Sequence, residues 1–360
     1  MNAIQTLVEQ SGGESRPPEL GHPRDQAIAL AVDRCRPLVI RSSATPGGHV
    51  IAAAIDACAS GRSVYTTTNG EGLLRMAPAL FRASHLGLPI VMTVESPSGP
   101  SDHGHAMALR DCGWVQLYPS DDQDAVDTHI QAFRIAESLS LPVMVCTDTF
   151  TGAHSVDRPL APSAEEINAF LERGDWPPPA RSISAGETPD MQLEMRYLTH
   201  AKQGVALETI RQVGADFRAH FGRRSGGVLT AHRLCAAKLA VLGLGSTFEA
   251  ITTAVDDVRG HGVSVGAVGL RSFRPFPTQD VGAALLHCER VVIVERAVAV
   301  GIGGIVATDV RSALARLPVR THTVIAGLGN RAISPESLQR ALYRALHGNL
   351  EELSFLDVNR

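Results

Sequence analysis

Two segments of this chain share one pattern, RASHLGLPIVMTVE (82–95) and RIAESLSLPVMVCTD (134–148). Each consists of the end of a helix, a Leu-Pro pair and a short apolar run rich in β-branched residues. Proline ends the helix, and the apolar run predicts a strand that is buried on both faces. Helices that alternate with such strands are typical of a parallel sheet covered on both sides. The pattern predicts strands at 38–41, 63–68, 89–94, 115–118 and 142–147.

The same alternation returns in the second half, where KLAVLGLGS, VSVGAVGL, RVVIVER and THTVIAGLG predict further strands. The glycines of GLGS (243–246) and GIGG (301–304) do not continue as G-x-G-x-x-G, so they indicate tight strand–helix packing and not a dinucleotide site. The sequence therefore predicts an α/β fold with two domains and mainly parallel sheets. Its expected divisions are a loose N-terminal tail (1–21), a first domain (22–158), a connector with a helix (159–234) and a second domain (235–360).

Composition excludes several classes of function. The 360 residues carry a formal charge of −4 and no basic run, which argues against nucleic acid as a partner. No apolar run reaches the roughly 20 residues of a membrane span, and the N-terminus lacks the features of a signal peptide, so we expect a cytoplasmic protein that does not contact a membrane. The cysteines form no C-x-x-C pair, which predicts buried free thiols and no iron–sulfur cluster on this chain.

The segment VYTTTNGEGLLRMAPAL (64–80) passes from a predicted strand into a helix through only Asn-Gly-Glu-Gly. Helix capping explains part of this composition, since Asn69 suits an N-cap and Glu71 suits a first helical turn. The N–H groups of a helix start also favour an electron-rich ligand. The turn is therefore a candidate binding site as well as a cap.

The segment ESPSGPSDHGHAMALRDCGW (95–114) concentrates Asp102, His103 and His105. Two histidines at i and i+2 in a loop are weak evidence for a metal, which needs three convergent ligands. We therefore expect a polar surface or interface loop and no metal site. Arg110 and Asp111, which flank a buried Gly-Trp, are more typical of residues that fix a loop than of residues that perform chemistry.

Six stretches in this order resemble the α subunit of the 2-oxoacid:ferredoxin oxidoreductases, the pyruvate:ferredoxin oxidoreductase type. They are TTTNGEGLLRMAPALFRASHLGLPIVM, DHGHAMALRDCGWVQLY, QAFRIAESLSLPVMVCTDTFTGAHS, ADFRAHFGR, VGLRSFRPFP and IAGLGNRAIS. The resemblance covers about residues 22–345, and RDCGW and FRPFP are its most distinctive motifs. It implies a thiamine-pyrimidine (PYR) type first domain and a transketolase C-terminal-like second domain. It also implies oxidative decarboxylation of a 2-oxoacid to an acyl-CoA.

In this family the β chain supplies the domain that binds the diphosphate. The chain contains no Gly-Asp-Gly segment for Mg²⁺ and diphosphate, so the resemblance implies thiamine diphosphate shared with a β subunit. Mg²⁺ and iron–sulfur clusters would lie on partner chains only. Further implied partners are a γ subunit, a ferredoxin-like δ subunit and ferredoxin as the acceptor. The residues implied to face the cofactor are Thr45, Thr68, Asn69, Gly70 and Glu71.

The chain departs from the family where a glutamate should open the first Ala-rich helix and bond the aminopyrimidine ring. Gly47-Gly48 stand at that place, and no acidic residue lies between Asp33 and Asp56. Glu71 and His49 are the candidates to replace the missing catalytic acid. Losing a positioned proton-transfer group commonly costs about 10²–10⁴ in rate, so a non-catalytic, architectural α-type subunit is the alternative.

A second departure is the absence of an arginine between Arg82 and Arg110, where the family often holds one that binds the substrate carboxylate. A bidentate carboxylate clamp has no close substitute. A third hypothesis is the β chain of a 2-oxoacid dehydrogenase E1 component, which joins the same two domain types. The RDCGW and FRPFP motifs argue against it.

Overall fold

The structure is a computed structural model that describes residues 23–40, 48–95, 102–147, 158–172 and 191–358. The predicted tail at 1–21 and part of the predicted connector, residues 173–190, lie outside the described residues. The elements of the first half are α1 (Pro23–Arg34), β1 (Leu38–Ile40), α2 (Gly48–Ala59), β2 (Val64–Asn69), α3 (Gly70–Arg75), α4 (Ala77–His85), β3 (Ile90–Glu95), α5 (Gly104–Ala108), β4 (Val115–Leu117), α6 (Asp122–Leu139), β5 (Val143–Thr147) and α7 (Ala164–Leu171).

The second half opens with a helix of 31 residues. Its elements are α8 (Met191–Phe221), β6 (Leu229–His232), β7 (Leu239–Leu244), α9 (Thr247–Gly260), β8 (Val265–Leu270), β9 (Ser272–Arg274), α10 (Thr278–Leu285), β10 (Arg290–Glu295), α11 (Ile305–Leu314), β11 (Arg320–Ile325), a short 3₁₀ turn (Leu328–Asn330), α12 (Pro335–Leu346) and β12 (Leu353–Phe355). Among the helices of the described residues, none has the length and apolar character needed to cross a membrane.

The first sheet has the order β1-β2-β3-β5-β4-β9, and its neighbours are parallel except for the antiparallel pair β4–β9. The five strands predicted in the first half are confirmed, with bounds that move by at most one residue. The strand β9 comes from the FRPFP motif, which the sequence did not predict as a strand. Proline cannot donate to a ladder, so β9 stops before Pro275 and stays at the sheet edge.

The second sheet has the order β12-β11-β10-β7-β8-β6, parallel except for β6–β8. The predicted α/β fold with two mainly parallel sheets is confirmed. The strand β6 lies inside the stretch predicted as a connector (159–234), where it pairs Leu229 with Leu270 of β8. The second sheet therefore includes residues that precede Cys235.

The two glycine segments of the second half differ in role. A Cβ on Gly243 would clash with Cδ1 of Ile251 in α9, which confirms tight strand–helix packing for GLGS. The same prediction holds for GIGG only at Gly304, where a Cβ would overlap Glu295 Oε1 at the end of β10. Gly301 and Gly303 have φ values of +85° and +116° and belong to a turn before α11, in which Gly301 is exposed and Gly303 is buried. Residues other than glycine rarely adopt such φ values, so these glycines serve a turn.

One apolar cluster is shared by the two sheets. It contains Met92 and Trp114 from the first half together with Leu244 and Val306 from the second. Two further clusters cover the outer faces, one under α1, α6 and α8 and one under α9 and α12. The shared cluster means that the two sheets pack against each other.

The prediction of buried thiols is correct for five of the six cysteines. Cys235 is exposed, because it lies in the surface connection between β6 and β7. Burial raises the pKa of Cys112 and of Cys58 to about 12. These two thiols are therefore protonated and unreactive at neutral pH.

A buried ion pair joins the two sheets. Arg271 lies between β8 and β9, and its guanidinium contacts both carboxylate oxygens of Asp124 in α6, with an Nη2–Oδ1 distance of 2.6 Å. The Ser225 hydroxyl also donates to Asp124 Oδ1 at 2.7 Å. Burial opposes ionisation of Asp124, but the charge and hydrogen bonds of Arg271 outweigh it and hold the pKa of Asp124 below its usual range. The carboxylate is thus desolvated but bonded through both of its oxygens.

A second buried polar group lies under the first sheet. His129 Nδ1 is 2.6 Å from the Ala125 carbonyl oxygen, which can only accept, so Nδ1 carries the proton. His129 Nε2 then accepts from the Thr93 hydroxyl at 2.7 Å, and the Tyr65 hydroxyl donates to Thr93 at 2.6 Å. Burial lowers the pKa of His129 to about 4. The neutral ring thus connects α6 to β3 and β2.

We expect Arg271→Ala to lower the free energy of unfolding by about 3–5 kcal/mol, because it leaves the Asp124 carboxylate buried without its cationic partner. Arg233→Ala is the matched control, since it breaks an Arg–Asp pair with Asp256 that is open to solvent. That change should lower the free energy of unfolding by about 0–1 kcal/mol. Denaturant unfolding followed by circular dichroism gives the free energy of unfolding of both variants. Equal losses would contradict the conclusion that the pair Arg271–Asp124 is buried.

We expect the stability contribution of neutral His129 to be complete above pH 6.5 and to disappear as the pH falls to about 4. The unfolded chain binds a proton in this window and the folded chain does not, which corresponds to about 3 kcal/mol. The unfolding free energies of wild type and His129→Gln, measured from pH 7 to pH 4, give the test. Their difference should shrink by about that amount, because all other groups titrate in both proteins. A constant difference would refute the prediction.

Candidate functional site

The carboxyl ends of the parallel strands of the first sheet form one edge. Asn69 ends β2, Glu95 ends β3 and Thr147 ends β5, and the register places Asn69 opposite Glu95 and Glu95 opposite Thr147. Direct neighbours in a sheet project their side chains to the same face. In open α/β sheets, ligands bind at this edge. Residues that bind a ligand are therefore expected at this edge.

The turn singled out from the sequence lies at this edge. The strand β2 ends at Asn69 and α3 begins at Gly70 without an intervening loop. The Asn69 side-chain Oδ1 accepts a hydrogen bond of 2.7 Å from the Gly72 N–H, so the predicted capping role is confirmed. This bond uses the amide oxygen of Asn69 and leaves its Nδ2 as the donor that the side chain can present.

The glycines of the turn allow two close approaches. A Cβ on Gly72 would overlap the Thr68 Oγ1, and a Cβ on Gly70 would overlap Nδ1 of His105. Neither position can accommodate a side chain unless the neighbouring group moves. The imidazole of His105 therefore packs directly against the backbone of the turn.

The segment from Asp102 to Ala108 connects the turn to the second sheet. The His103 N–H donates to the Arg296 carbonyl at 2.9 Å, and the buried His103 ring contacts the Tyr118 ring edge-on with a centroid distance of 5.0 Å. Asp102 Oδ1 accepts from the Gly104 N–H at 2.9 Å. Within the described residues no group of three His, Cys, Asp or Glu side chains is arranged to hold a metal ion. His103 thus packs against Tyr118, whereas His105 packs against Gly70 of the turn.

Glu71 and His49 are the two residues predicted to replace the missing acid, and the structure describes the side chain of Glu71 alone. Glu71 is 78% exposed and its nearest charged partner is Arg75, with Oε2 and Nη2 3.9 Å apart. His49 belongs to α2, but its side chain lies outside the described residues, as does Thr45 altogether. Among the described residues, the ion pair with Arg75 is thus the one contact found for the Glu71 carboxylate.

Glu95 is a candidate that the sequence reasoning missed. Glu95 is exposed at the end of β3, yet desolvation of its carboxylate raises its pKa, the charge of Asp25 raises it further, and Arg24 lowers it. The available signal was its position as the last residue of a predicted buried strand in a parallel sheet. Its proximity to Asn69 depends on strand order, which the sequence did not specify.

The RDCGW and FRPFP motifs meet away from this edge, because RDCGW precedes β4 and lies at the amino end of that strand. Gln116 of β4 pairs with Arg274 of β9, and the segments around them line a cavity of about 550 Å³ together with α4 and α8. Arg110 Nη1 donates to the Met107 carbonyl at 2.9 Å, and the buried Trp114 donates to the Leu80 carbonyl at 2.9 Å. These contacts support the expectation that the RDCGW segment fixes a loop.

The sequence matches two family models. The thiamine diphosphate-binding domain of pyruvate flavodoxin/ferredoxin oxidoreductases matches residues 48–215, and core domain II of pyruvate:ferredoxin oxidoreductase matches residues 237–338. The two matches divide the chain as the two sheets do, except that β9 lies in the second match and joins the first sheet.

Known proteins agree with this assignment. The pyruvate synthase subunit PorA of Methanosarcina barkeri is 33% identical in an alignment of 330 positions that covers 86% of this chain and 82% of the relative. The 2-oxoglutarate:ferredoxin oxidoreductase structure from Magnetococcus marinus aligns with a TM-score of 0.65 at 16% identity, over 90% of this chain and 64% of that chain. A split-gene transketolase aligns with a TM-score of 0.52 at 11% identity, over 90% and 97%. The fold is thus shared with both enzymes, and by sequence the chain belongs to the α subunits of the 2-oxoacid:ferredoxin oxidoreductases.

Proposed function

We propose that this chain is the α subunit of a complex that oxidatively decarboxylates a 2-oxoacid to an acyl-CoA, with thiamine diphosphate held between it and a β subunit. The relatives named pyruvate synthase make pyruvate the first substrate to test. The observation that carries the proposal is the turn Asn69–Gly72 at the carboxyl edge of the first sheet, with His105 packed against it.

The residues of the turn suit the organic end of thiamine diphosphate. Asn69 offers an amide donor, and the start of α3 offers backbone N–H groups, which are the partners that ring nitrogens accept from. Thr68 lies beside them, and Thr45 is included from the sequence alone. The sequence has no Gly-Asp-Gly segment to bind Mg²⁺ and diphosphate. The charged end of the cofactor, with its Mg²⁺, is therefore assigned to the β subunit.

When bound, thiamine diphosphate supplies a carbanion that attacks the 2-oxo group and accepts the electrons of decarboxylation. This chain's contribution would be a proton-transfer group that hydrogen-bonds the aminopyrimidine ring. Three residues are candidates, Glu71 and His49 from the sequence and Glu95 from the structure. Glu95 is favoured because strand pairing places it beside Asn69 at the carboxyl edge, where desolvation and the charge of Asp25 raise its pKa.

The remaining partners follow from the same proposal. Electrons leave through iron–sulfur clusters on partner chains, in a γ subunit and a ferredoxin-like δ subunit, to ferredoxin. The complex would operate in the cytoplasm. The alternative of an E1 β chain, which would pass the acyl group to a lipoyl partner, receives no support from either family match.

A second candidate function is an architectural α-type subunit, whose complex performs its chemistry elsewhere. The 78% exposure of Glu71 favours it, because a proton-transfer group must be held in place and the ion pair that the described part of the chain offers is long, at 3.9 Å to Arg75. The two candidates differ in whether any carboxylate of this chain acts on the cofactor.

The assembled complex distinguishes them. We expect Glu95→Gln to lower 2-oxoacid-dependent reduction of a viologen dye by about 10²–10⁴, since a positioned proton-transfer group is lost. Glu71→Gln is the matched control and should change the rate by less than about threefold. Isothermal titration calorimetry should give thiamine diphosphate binding with Mg²⁺ to the complex and none to this chain alone. Tight binding by the isolated chain would refute the shared site, and unchanged rates in Glu95→Gln, Glu71→Gln and His49→Ala would favour the architectural role.

The contact between Gly70 and His105 gives a separate test of the cofactor edge. In the complex, Gly70→Ala should weaken thiamine diphosphate binding at least about tenfold, because the new Cβ displaces the imidazole and shifts the turn. The double variant Gly70→Ala/His105→Ala removes the clash and should recover the affinity of His105→Ala alone. Calorimetry measures all three variants. Equal affinity of Gly70→Ala and wild type would show that the cofactor does not depend on this turn.

A further inference from the structure

An exposed apolar turn follows β10 at the carboxyl edge of the second sheet. Val300 is 92% exposed and Ile302 is 81% exposed, the largest fractions among the large apolar side chains of the described residues. We call residues 299–303 the anchor turn. Isolated apolar side chains are common on protein surfaces, but two at this exposure on one tight turn need a reason.

The anchor turn is ordered by its own hydrogen bonds. The N–H of Ala299 donates to the Gly303 carbonyl at 2.7 Å, and the N–H groups of Gly303 and Ile302 donate back to the Ala299 carbonyl at 2.8 and 2.9 Å. The positive φ values of Gly301 and Gly303 make this closure possible. The two apolar side chains are therefore held outward on a preformed backbone, which lowers the entropy that binding must overcome.

A buried carboxylate fixes the base of the anchor turn. Glu295, the last residue of β10, accepts hydrogen bonds from the N–H groups of Ile305, Val306 and Ala307 at 2.7, 2.8 and 3.1 Å. A Cβ on Gly304 would overlap Glu295 Oε1, so only glycine fits there. The strand end and the start of α11 are thus joined directly, and the turn between them has little freedom.

The anchor turn adjoins the candidate site. The carbonyl of Arg296, three residues before Ala299, accepts from the His103 N–H at 2.9 Å. Two residues beyond His103, the His105 ring packs against Gly70. The anchor turn, the segment from Asp102 to Ala108 and the cofactor turn therefore follow one another along a continuous edge.

The apolar area extends to the edge strand of the second sheet. Leu353 Cδ2 lies 3.5 Å from the position of a Cβ on Gly303, and Leu353 and Phe355 are both exposed. Val300, Ile302, Leu353 and Phe355 form one apolar patch beside the open edge. Such a patch, with anchors that are preformed, has the composition of an interface centre.

We propose that Val300 and Ile302 anchor the β subunit that completes the thiamine diphosphate site, by inserting into an apolar recess of that chain. The inference rests on the proposed function, which requires a second chain with the diphosphate motif at this edge. A second copy of this chain is not the occupant, because it lacks the same motif and would leave the site incomplete. The same β subunit therefore covers the apolar patch and completes the thiamine diphosphate site.

The test is the double variant Val300→Asp/Ile302→Asp, with Leu193→Asp as the matched control. Leu193 is 75% exposed and lies near the start of α8, a different element from the anchor turn and β12. Both proteins should melt as wild type does, because the changed side chains are in solvent. Surface plasmon resonance against the β subunit should show at least about a 100-fold higher Kd for the double variant and less than about a threefold change for Leu193→Asp. The conservative Ile302→Val should bind as wild type.

Three outcomes overturn the inference. The first is a double variant that binds the β subunit with wild-type affinity, and the second is an equal loss in Leu193→Asp. The third is a loss confined to self-association of this chain, measured by analytical ultracentrifugation, with β binding intact. Failure of the wild-type chain to bind any β subunit is a different result, because it refutes the proposed function before a variant is made.

Discussion

The arrangement of the molecule depends on the buried contact between Arg271 and Asp124. The chain leaves the second sheet at Arg271 and enters the first sheet as β9, so this residue marks the crossing between the two halves. The crossing is held from both sides, since the Tyr118 N–H donates to the Arg271 carbonyl at 2.8 Å while the guanidinium binds Asp124. A desolvated pair of this kind adds little net stability, but it penalises any other placement of the crossing, which would leave a charge unpaired.

The crossing decides where the candidate site lies. Once β9 is paired with β4, the carboxyl ends of the second sheet face those of the first. Gly245, which follows β7, then lies so close to Tyr118 and Pro119 that a Cβ on this glycine would be 3.5–3.8 Å from them. The hydrogen bond from His103 to Arg296 and the packing of His105 on Gly70 extend this contact between the two sheets as far as the turn. The geometry of the turn is thus a property of both sheets, and a first domain expressed alone would lose the support on one side of its own site.

Local signals in the sequence were sufficient for the five parallel strands of the first sheet and for the cap, but not for the antiparallel edge strands β6 and β9. The Leu-Pro pairs located the strand starts to within one residue, and Asn69 caps α3 as its residue type predicts. Contacts over long sequence separations were not predictable. The pair Arg271–Asp124 spans 147 residues, and the proximity of Glu95 to Asn69 depends on which strands are neighbours. The GIGG prediction held for Gly304 and not for Gly301 and Gly303, because glycine spacing alone does not distinguish close packing from a positive-φ turn.

The two carboxylates near the turn show why position in the fold matters more than position in the sequence. Glu71 lies inside the motif that resembles the family, but it is in solvent, and an exposed i,i+4 ion pair with Arg75 contributes only about 0.3–0.5 kcal/mol. Glu95 lies outside that turn, yet strand pairing fixes its backbone, and burial with the charge of Asp25 raises its pKa. The register thus brings a carboxyl group beside Asn69 at the edge where ligands bind in open α/β sheets. This placement is the argument that Glu95, and not Glu71, takes part in chemistry at the edge.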